Sequence, residues 1–206
     1  MPPIVPGELL EKFEAELAQV SGTAHRASSL ADLEAILGKI LSDARATCVV
    51  LSRNPLLAQL GVAKKLRARG LTVSAWPAAS SAGPEDEVVG RSAFAAACFA
   101  ATVGITGADF ALAETGSLVL TSLTEGSQLS SLAPPLHIAL FRPSQLVASL
   151  DEVLSRLQPL PSRSAVFITG TSRTADIEQI LIRGVHGPGE VHAILVEDSC
   201  LVPAGS

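Results

Sequence analysis

The segment 170–176 carries hydroxyl, guanidinium and glycine groups at a position where a small anion could bind. It follows the apolar run 165–168, which is typical of a strand, and we predict that a helix begins near Thr174 and reaches Ile182. The start of a helix presents free backbone N–H groups and the positive end of the helix dipole, and both favour an anion. The candidate ligand-binding residues are Gly170, Thr171, Ser172, Arg173 and Thr174. The alternative is that a hydroxyl of this segment only caps the helix while the arginine is solvated.

Two carboxylates stand out in a second, mostly apolar region. Asp109 and Glu114 are the only acidic residues between positions 87 and 125. A buried carboxylate needs a partner or shifts its pKa, and active sites commonly use such groups. Glu114 could act as a nucleophile or a general base, with Asp109, Thr115 and Gly116 as candidate ligand-binding residues. The alternative is a β-hairpin whose turn is Thr115-Gly116, with Asp109 as a turn former.

A third glycine-rich segment, 184–190, contains His186, which could be an acid, a base or an anion contact. The alternative is an ordinary surface histidine.

The sequence contains no Walker loop, no Gly-x-Gly-x-x-Gly fingerprint and no Cys-x-x-Cys pair. Its three cysteines, Cys48, Cys98 and Cys200, are far apart. We therefore predict no metal site and no cofactor held wholly within this chain.

The periodicity of apolar residues divides the chain into alternating helices and strands. Helices are predicted over 9–20, 31–41, 56–69, 84–101, 143–157 and 174–182. Strands are predicted over 48–51, 71–76, 137–141, 165–168 and 191–196, with a hairpin over 110–120 and a loop over 77–83. Strands separated by helices predict an α/β fold with a mainly parallel sheet and helices on both faces.

In an open parallel sheet, ligands bind beyond the carboxyl ends of the strands, so we expect the three glycine-containing segments to meet at one edge. Residues 1–44 are predicted to form an N-terminal helical arm, and residues 45–206 an α/β domain.

Composition excludes several classes of protein. The 206 residues are 48% hydrophobic and 17% charged, which is typical of a globular chain. The net charge of −5 gives no electrostatic source for nucleic-acid binding. The uncharged stretch 93–108 is shorter than the roughly 20 apolar residues of a membrane span, and the N-terminus lacks the pattern of a signal peptide. We expect a soluble, cytoplasmic protein.

Taken together, the segments 104–117, 170–178, 184–188 and 192–195 resemble the LutC/YkgG family, the lactate-utilisation (LUD) domain. The order and spacing of the segments match that family over about residues 45–198. The resemblance implies an α/β fold similar to the NagB/RpiA/CoA-transferase group and a role in oxidising L-lactate to pyruvate. It also implies iron–sulfur partner proteins, with this chain as an accessory subunit that lacks cluster cysteines.

The resemblance favours Glu114 and His186 as catalytic residues. Glu114-Thr115-Gly116 is similar to the Glu-Asn-Gly turn of CoA transferases, whose glutamate attacks a thioester, although threonine replaces asparagine here. The resemblance also favours a small carboxylate or phosphate held by Arg173, because guanidinium binds carboxylates in bidentate fashion. An accessory subunit should expose an apolar patch to its partners, for which the N-terminal helices are candidates. The alternative function is a self-sufficient enzyme of the NagB/RpiA/CoA-transferase type that acts on a phosphosugar or an acyl-CoA.

Overall fold

The computed structural model describes residues 6–76, 84–175, 181–183 and 187–201. In chain order, its strands are β1 (Thr23–Ala27), β2 (Cys48–Leu51), β3 (Thr72–Ala75), β4 (Val103–Gly107), β5 (Phe110–Leu112), β6 (Ser117–Thr121), β7 (Leu136–Phe141), β8 (Leu146–Val147), β9 (Ala165–Ile168), β10 (Arg173–Ala175), β11 (Leu181–Arg183) and β12 (Glu190–Val196). Its α-helices are α1 (Pro6–Gln19), α2 (Leu30–Asp43), α3 (Pro55–Gln59), α4 (Val62–Ala68), α5 (Pro84–Ala100), α6 (Ser122–Glu125), α7 (Leu129–Leu132) and α8 (Leu150–Leu157). Short 3-10 helices span Pro143–Gln145 and Asp198–Leu201. The predicted loop over 77–83 lies outside the described residues.

A six-stranded sheet forms the centre of the fold, with the spatial order β1-β12-β7-β4-β2-β3. All of its neighbouring strands pair in parallel, which confirms the predicted α/β fold class. From β2 the chain moves to β3 on one side, and it then returns to β4 on the other side of β2. The direction of winding therefore reverses between β2 and β4, and in such sheets the crevice at the carboxyl ends of these strands is where ligands bind.

Apolar side chains cover both faces of this sheet. Leu33 and Leu37 of α2 and Leu66 of α4 pack against one face. Phe13 and Leu17 of α1, both fully buried, pack against the other face. None of the helices among the described residues is long and apolar enough to cross a membrane.

A smaller four-stranded sheet, with the order β8-β5-β6-β9, packs beside α1 against the same face of the central sheet. Strands β5 and β6 pair antiparallel, with Phe110 opposite Val119, which confirms the predicted hairpin. Strand β9 pairs antiparallel with β6, so it belongs to this second sheet and not to the central one. The second sheet therefore places the residues after Gly107 over one face of the central sheet.

The predicted helices α1 and α2 are confirmed, but the strand between them was not predicted. Strand β1 pairs in parallel with β12 and forms one edge of the central sheet. Its sequence, Thr-Ala-His-Arg-Ala, has no apolar run because only Ala27 is buried. Strand β4 was also not predicted, because its glycines and Thr106 interrupt the apolar pattern. The domain division at residue 44 stays a prediction.

The predicted helix over 174–182 is wrong at both of its ends. The ranges Arg173–Ala175 and Leu181–Arg183 are strands that pair antiparallel, and β-branched residues such as Thr174 and Ile182 suit strands better than helices. The segment 170–174 therefore does not begin a helix, so the described residues do not support the predicted anion site at a helix start.

Two other predicted helices are shorter than expected. The helix over 56–69 divides into α3 and α4 because Gly61 adopts a left-handed backbone conformation, with φ +63°. In the predicted helix over 143–157, Leu146 and Val147 instead pair with β5 as a strand. The helix α8 begins only after Ser149, whose side chain caps it by accepting from the backbone N–H of Glu152.

One histidine is buried in the central sheet. His137 is fully buried in β7, and its Nε2 lies 2.8 Å from Thr106 Oγ1. Its Nδ1 has no hydrogen-bond partner among the described residues. Burial, helped by the nearby His192, lowers the pKa of His137 to about 3.

This buried histidine should make the protein less stable in acid. Below pH 6.5 the unfolded chain takes up a proton on His137, whereas the folded chain does so only near pH 3. The unfolded state binds more protons in this window, so the free energy of unfolding falls as the pH is lowered. Between pH 7 and pH 5, chemical denaturation should show that the wild type loses about 2 kcal/mol more than His137→Gln. Equal losses in the two proteins would contradict this prediction.

Candidate functional site

The carboxyl ends of β2 and β4 carry a group of polar side chains that we call the carboxyl-edge cluster. It consists of Ser52, Asn54, Asp109, Thr124 and Glu125. Ser52 and Asn54 follow β2, Asp109 follows β4, and the other two end α6. The cluster lies at the point where the winding of the sheet reverses, which is the expected ligand-binding edge.

Glu125 is the centre of this cluster, and its side chain is completely buried. Its Oε1 accepts a hydrogen bond from Asn54 Nδ2, and its Oε2 accepts from the backbone N–H of Gly107 at 3.1 Å. Asn54 also caps α3, because its Oδ1 accepts from the backbone N–H of Leu56 at 2.9 Å. A Cβ atom at Gly107 would overlap the Asn54 side chain, so only glycine allows this contact.

Asp109 is the second carboxylate of the cluster. It accepts from the backbone N–H of Thr121 at 2.7 Å and from Thr124 Oγ1 at 2.9 Å. Thr124 Oγ1 also lies 3.3 Å from Glu125 Oε1, so one hydroxyl stands between the two carboxyl groups.

Burial is the main reason that the pKa of Glu125 is raised, and the nearby charge of Asp109 raises it further. The neighbouring Ser52 and Asn54 side chains and the Gly107 N–H oppose this shift. Burial therefore keeps a proton on Glu125 at a higher pH than on an exposed glutamate, and Thr124 Oγ1 connects this acid to Asp109.

An arginine lies beside this pair. The backbone N–H of Arg53 donates to the Glu125 carbonyl at 3.2 Å, and its guanidinium donates to the Leu123 carbonyl at 2.9 Å. The Arg53 side chain is exposed. Guanidinium has five N–H donors, so it keeps free donors for a carboxylate ligand.

A second site, which we call the β5–β6 pocket, lies on the outer side of the smaller sheet. Its volume is about 260 Å³, and it is lined by Leu112, Glu114, Thr115, Ser117, Leu150, Phe167 and Thr169. Glu114 Oε2 accepts from the backbone N–H of Leu150 at 2.9 Å, at the start of α8. The pocket thus contains two of the residues predicted from the sequence, Glu114 and Thr115.

Comparison with known proteins identifies the family. A family model described as the LUD domain matches residues 10–196. The chain belongs to the LUD domain family. The resemblance inferred from the glycine-containing segments is therefore confirmed.

Curated relatives of this LUD domain chain carry the name "Lactate utilization protein C". One from Oceanobacillus iheyensis is 29% identical over 199 residues, covering 92% of this chain and 80% of that protein. One from Halalkalibacterium halodurans is 42% identical over 105 residues, and the match spans 48% of this chain and only 45% of that protein. Among solved structures, a DUF162 family protein from Deinococcus radiodurans matches with a TM-score of 0.60 and 22% identity, covering 94% of this chain and 99% of that one. That match supports the fold.

The structure brings parts of the three predicted segments of the LUD domain together. Ser117 Oγ lies 2.7 Å from Thr169 Oγ1, which joins the hairpin turn to the segment after β9. The backbone N–H of Ser172 donates to the Pro188 carbonyl at 2.8 Å, which joins that segment to the third one.

Two of the predicted ligand-binding glycines have a structural role. Gly116 has φ +64° and Gly170 has φ +70°, conformations that favour glycine. A Cβ atom on Gly116 would overlap the backbone of Leu17, and one on Gly170 would overlap the carbonyl of Val20. Both glycines therefore allow close approach to the end of α1.

Other predicted site residues lie apart or outside the described part of the chain. Asp109 lies before β5 and Glu114 after it, so these two carboxylates belong to different sites. The backbone of Arg173 and Thr174 lies in β10, and their side chains are not among those described. His186 lies outside the described residues. A common site for Arg173, Glu114 and His186 stays a prediction.

Sequence reasoning missed Glu125. Its one signal is its position shortly after the apolar strand β6, in a stretch where acids are rare. Its burial depends on Asn54, which is 71 positions away in the chain. Among the described residues, no group of three or more His, Cys, Asp or Glu side chains is arranged to hold a metal ion.

Proposed function

We propose that this LUD domain chain acts in lactate utilisation as an accessory subunit that binds a small carboxylate ligand. The observation that carries the proposal is the similarity, over 92% of the chain, to a protein named "Lactate utilization protein C". Oxidation of lactate to pyruvate needs an electron acceptor, which this proposal assigns to iron–sulfur partner proteins.

The carboxyl-edge cluster is the proposed ligand site. Lactate carries a carboxylate and an α-hydroxyl group. Arg53 would hold the carboxylate through its free guanidinium donors. The hydroxyl would then face the half-buried Asp109, which Thr124 connects to the buried acid Glu125. The position of the cluster, between β2 and β4, supports this assignment.

Growth of the source organism tests the proposed role. Deletion of the gene should stop or slow growth on L-lactate and leave growth on glucose unchanged. A plasmid copy with Glu125→Gln should fail to restore growth on lactate, because the side chain no longer exchanges a proton. A copy with Glu8→Gln, which changes an exposed acid of α1, should restore growth fully. Normal growth of the deletion strain on lactate would contradict the proposal, and turnover of a phosphosugar or an acyl-CoA by the purified chain would contradict the accessory role.

Calorimetry tests where the carboxylate binds. If it binds at the carboxyl-edge cluster, Arg53→Ala should weaken binding of lactate or pyruvate by about tenfold, which corresponds to loss of one charge-assisted hydrogen bond. Arg173→Ala tests the segment that sequence reasoning favoured, and it should leave binding unchanged. The reverse result would move the ligand to the segment 170–174. No effect of either variant would reject anion binding at both places.

A further inference from the structure

The β5–β6 pocket is separate from the carboxyl-edge cluster, and the proposed function does not use it. The pocket opens where the hairpin turn, the end of β9 and the start of α8 meet. Three hydroxyl groups form a chain along it: Thr115 Oγ1 lies 2.6 Å from Ser117 Oγ, which lies 2.7 Å from Thr169 Oγ1. The central hydroxyl belongs to Ser117, which is only 2% exposed.

This hydroxyl chain has spare hydrogen-bonding capacity. Each hydroxyl offers one proton and two lone pairs. The bonds that join the hydroxyls of Thr115, Ser117 and Thr169 leave most of the lone pairs free. The pocket can therefore accept several hydrogen bonds from a ligand.

The charge of the pocket selects against anions. Glu114 is exposed, and no lining residue is basic. One of its oxygens, Oε2, is used by the backbone N–H of Leu150. Asp151, the next residue of α8, is also exposed and adds a second negative charge near the opening. A cationic ligand is therefore favoured over lactate or a phosphate.

The rest of the pocket is apolar and incompletely covered. Leu112 is buried at its base, whereas Leu150 is 43% exposed and Phe167 is 40% exposed. Leu154, on the next turn of α8, is 51% exposed. Among the described residues, α8 and β9 carry three of the exposed large apolar side chains, and the others are Phe99, Leu123 and Leu132. Apolar side chains left open beside a polar pocket are typical of a ligand-binding surface.

We infer that the β5–β6 pocket binds a small primary amine that carries an apolar group. The ammonium has three N–H donors and no acceptor, which matches the Glu114 carboxylate and the free lone pairs of Thr115 and Thr169. The apolar group would cover Leu150 and Phe167 and remove their surface from water.

Titration with three ligands that share a benzyl or phenyl group tests this inference. Two-dimensional NMR of the full chain should show saturable binding of benzylamine, with a dissociation constant on the order of 1 mM for so few atoms. Benzyl alcohol, which lacks the charge, should bind about tenfold more weakly. Benzoate should show no saturable shifts at the pocket residues. Benzoate binding as tight as that of benzylamine would overturn the inference.

Variants locate the binding. Glu114→Gln should raise the dissociation constant of benzylamine by about tenfold. Because that change also alters the acceptor for the backbone N–H of Leu150, Phe167→Ala provides a second variant away from the helix start, and it too should weaken binding. Glu8→Gln removes the same charge from α1 and should leave binding unchanged. Benzylamine binding that survives both pocket variants would place the amine elsewhere and overturn the inference.

Discussion

Gly116→Ala should lower the free energy of unfolding by about 3–4 kcal/mol. One part of this loss comes from the left-handed backbone at Gly116, which costs a residue with a Cβ atom about 1 kcal/mol. The larger part comes from overlap of that Cβ with the backbone of Leu17 in α1, which cannot rotate away as a side chain could. Urea denaturation of the wild type and the variant measures the difference.

Gly61→Ala is the matched control for this prediction. Gly61 has φ +63°, almost the same conformation as Gly116, but a Cβ atom there would have nothing within 4 Å. The control should therefore cost only about 1 kcal/mol. If both variants lose the same stability, the close approach of α1 to the hairpin turn is not what requires glycine at position 116.

Glu125→Ala should lower the free energy of unfolding by about 3 kcal/mol. The substitution removes the acceptor for Asn54 Nδ2 and for the backbone N–H of Gly107, and both donors would remain buried. Leaving a buried donor without a partner costs about 1–3 kcal/mol, and the space left by the side chain adds to the loss. Chemical denaturation measures the effect.

Glu125→Gln should behave differently, because an amide of the same shape keeps an acceptor in the cluster. The amide keeps only one of the two acceptors, so stability at pH 7 should fall by about 1–2 kcal/mol, which is less than in Glu125→Ala. The pH dependence of the free energy of unfolding then tests whether the pKa of Glu125 is raised. The folded wild type keeps the Glu125 proton above pH 4.5, because its pKa is raised, whereas the unfolded chain loses it. The contribution of Glu125 to the wild-type free energy of unfolding therefore falls as the pH rises from 4.5 through the folded-state pKa. Glu125→Gln should lack this fall. A parallel pH dependence in the two proteins would contradict the raised pKa.

These two sites differ in how far the sequence could predict them. The hairpin around Gly116 was predictable, because Thr115-Gly116 separates two short apolar runs. Asp109 and Glu114 were singled out because acids are rare in that region, and the structure places each in a polar site. Glu125 was missed, because nothing near it in the chain shows that Asn54 will accompany it.

Errors in the secondary structure have a similar cause. Strands β1, β10 and β11 lack long apolar runs. Only the pairing of β1 with β12, and of β10 with β11, shows that these segments are strands. The segment 173–183 had apolar residues at a spacing that also suits a helix, and strand pairing decided otherwise.

The amino-acid sequence by itself determined the alternation of helices and strands, the parallel α/β fold class and the family, because buried elements leave a local pattern of apolar residues and the motifs have a fixed order. Only the tertiary structure decided which polar residues share a site. Asn54 and Glu125 meet across 71 positions, and Ser117 and Thr169 meet across 52. Such contacts depend on how strands pair and how the smaller sheet packs on the larger one, and no local pattern of residues records that arrangement.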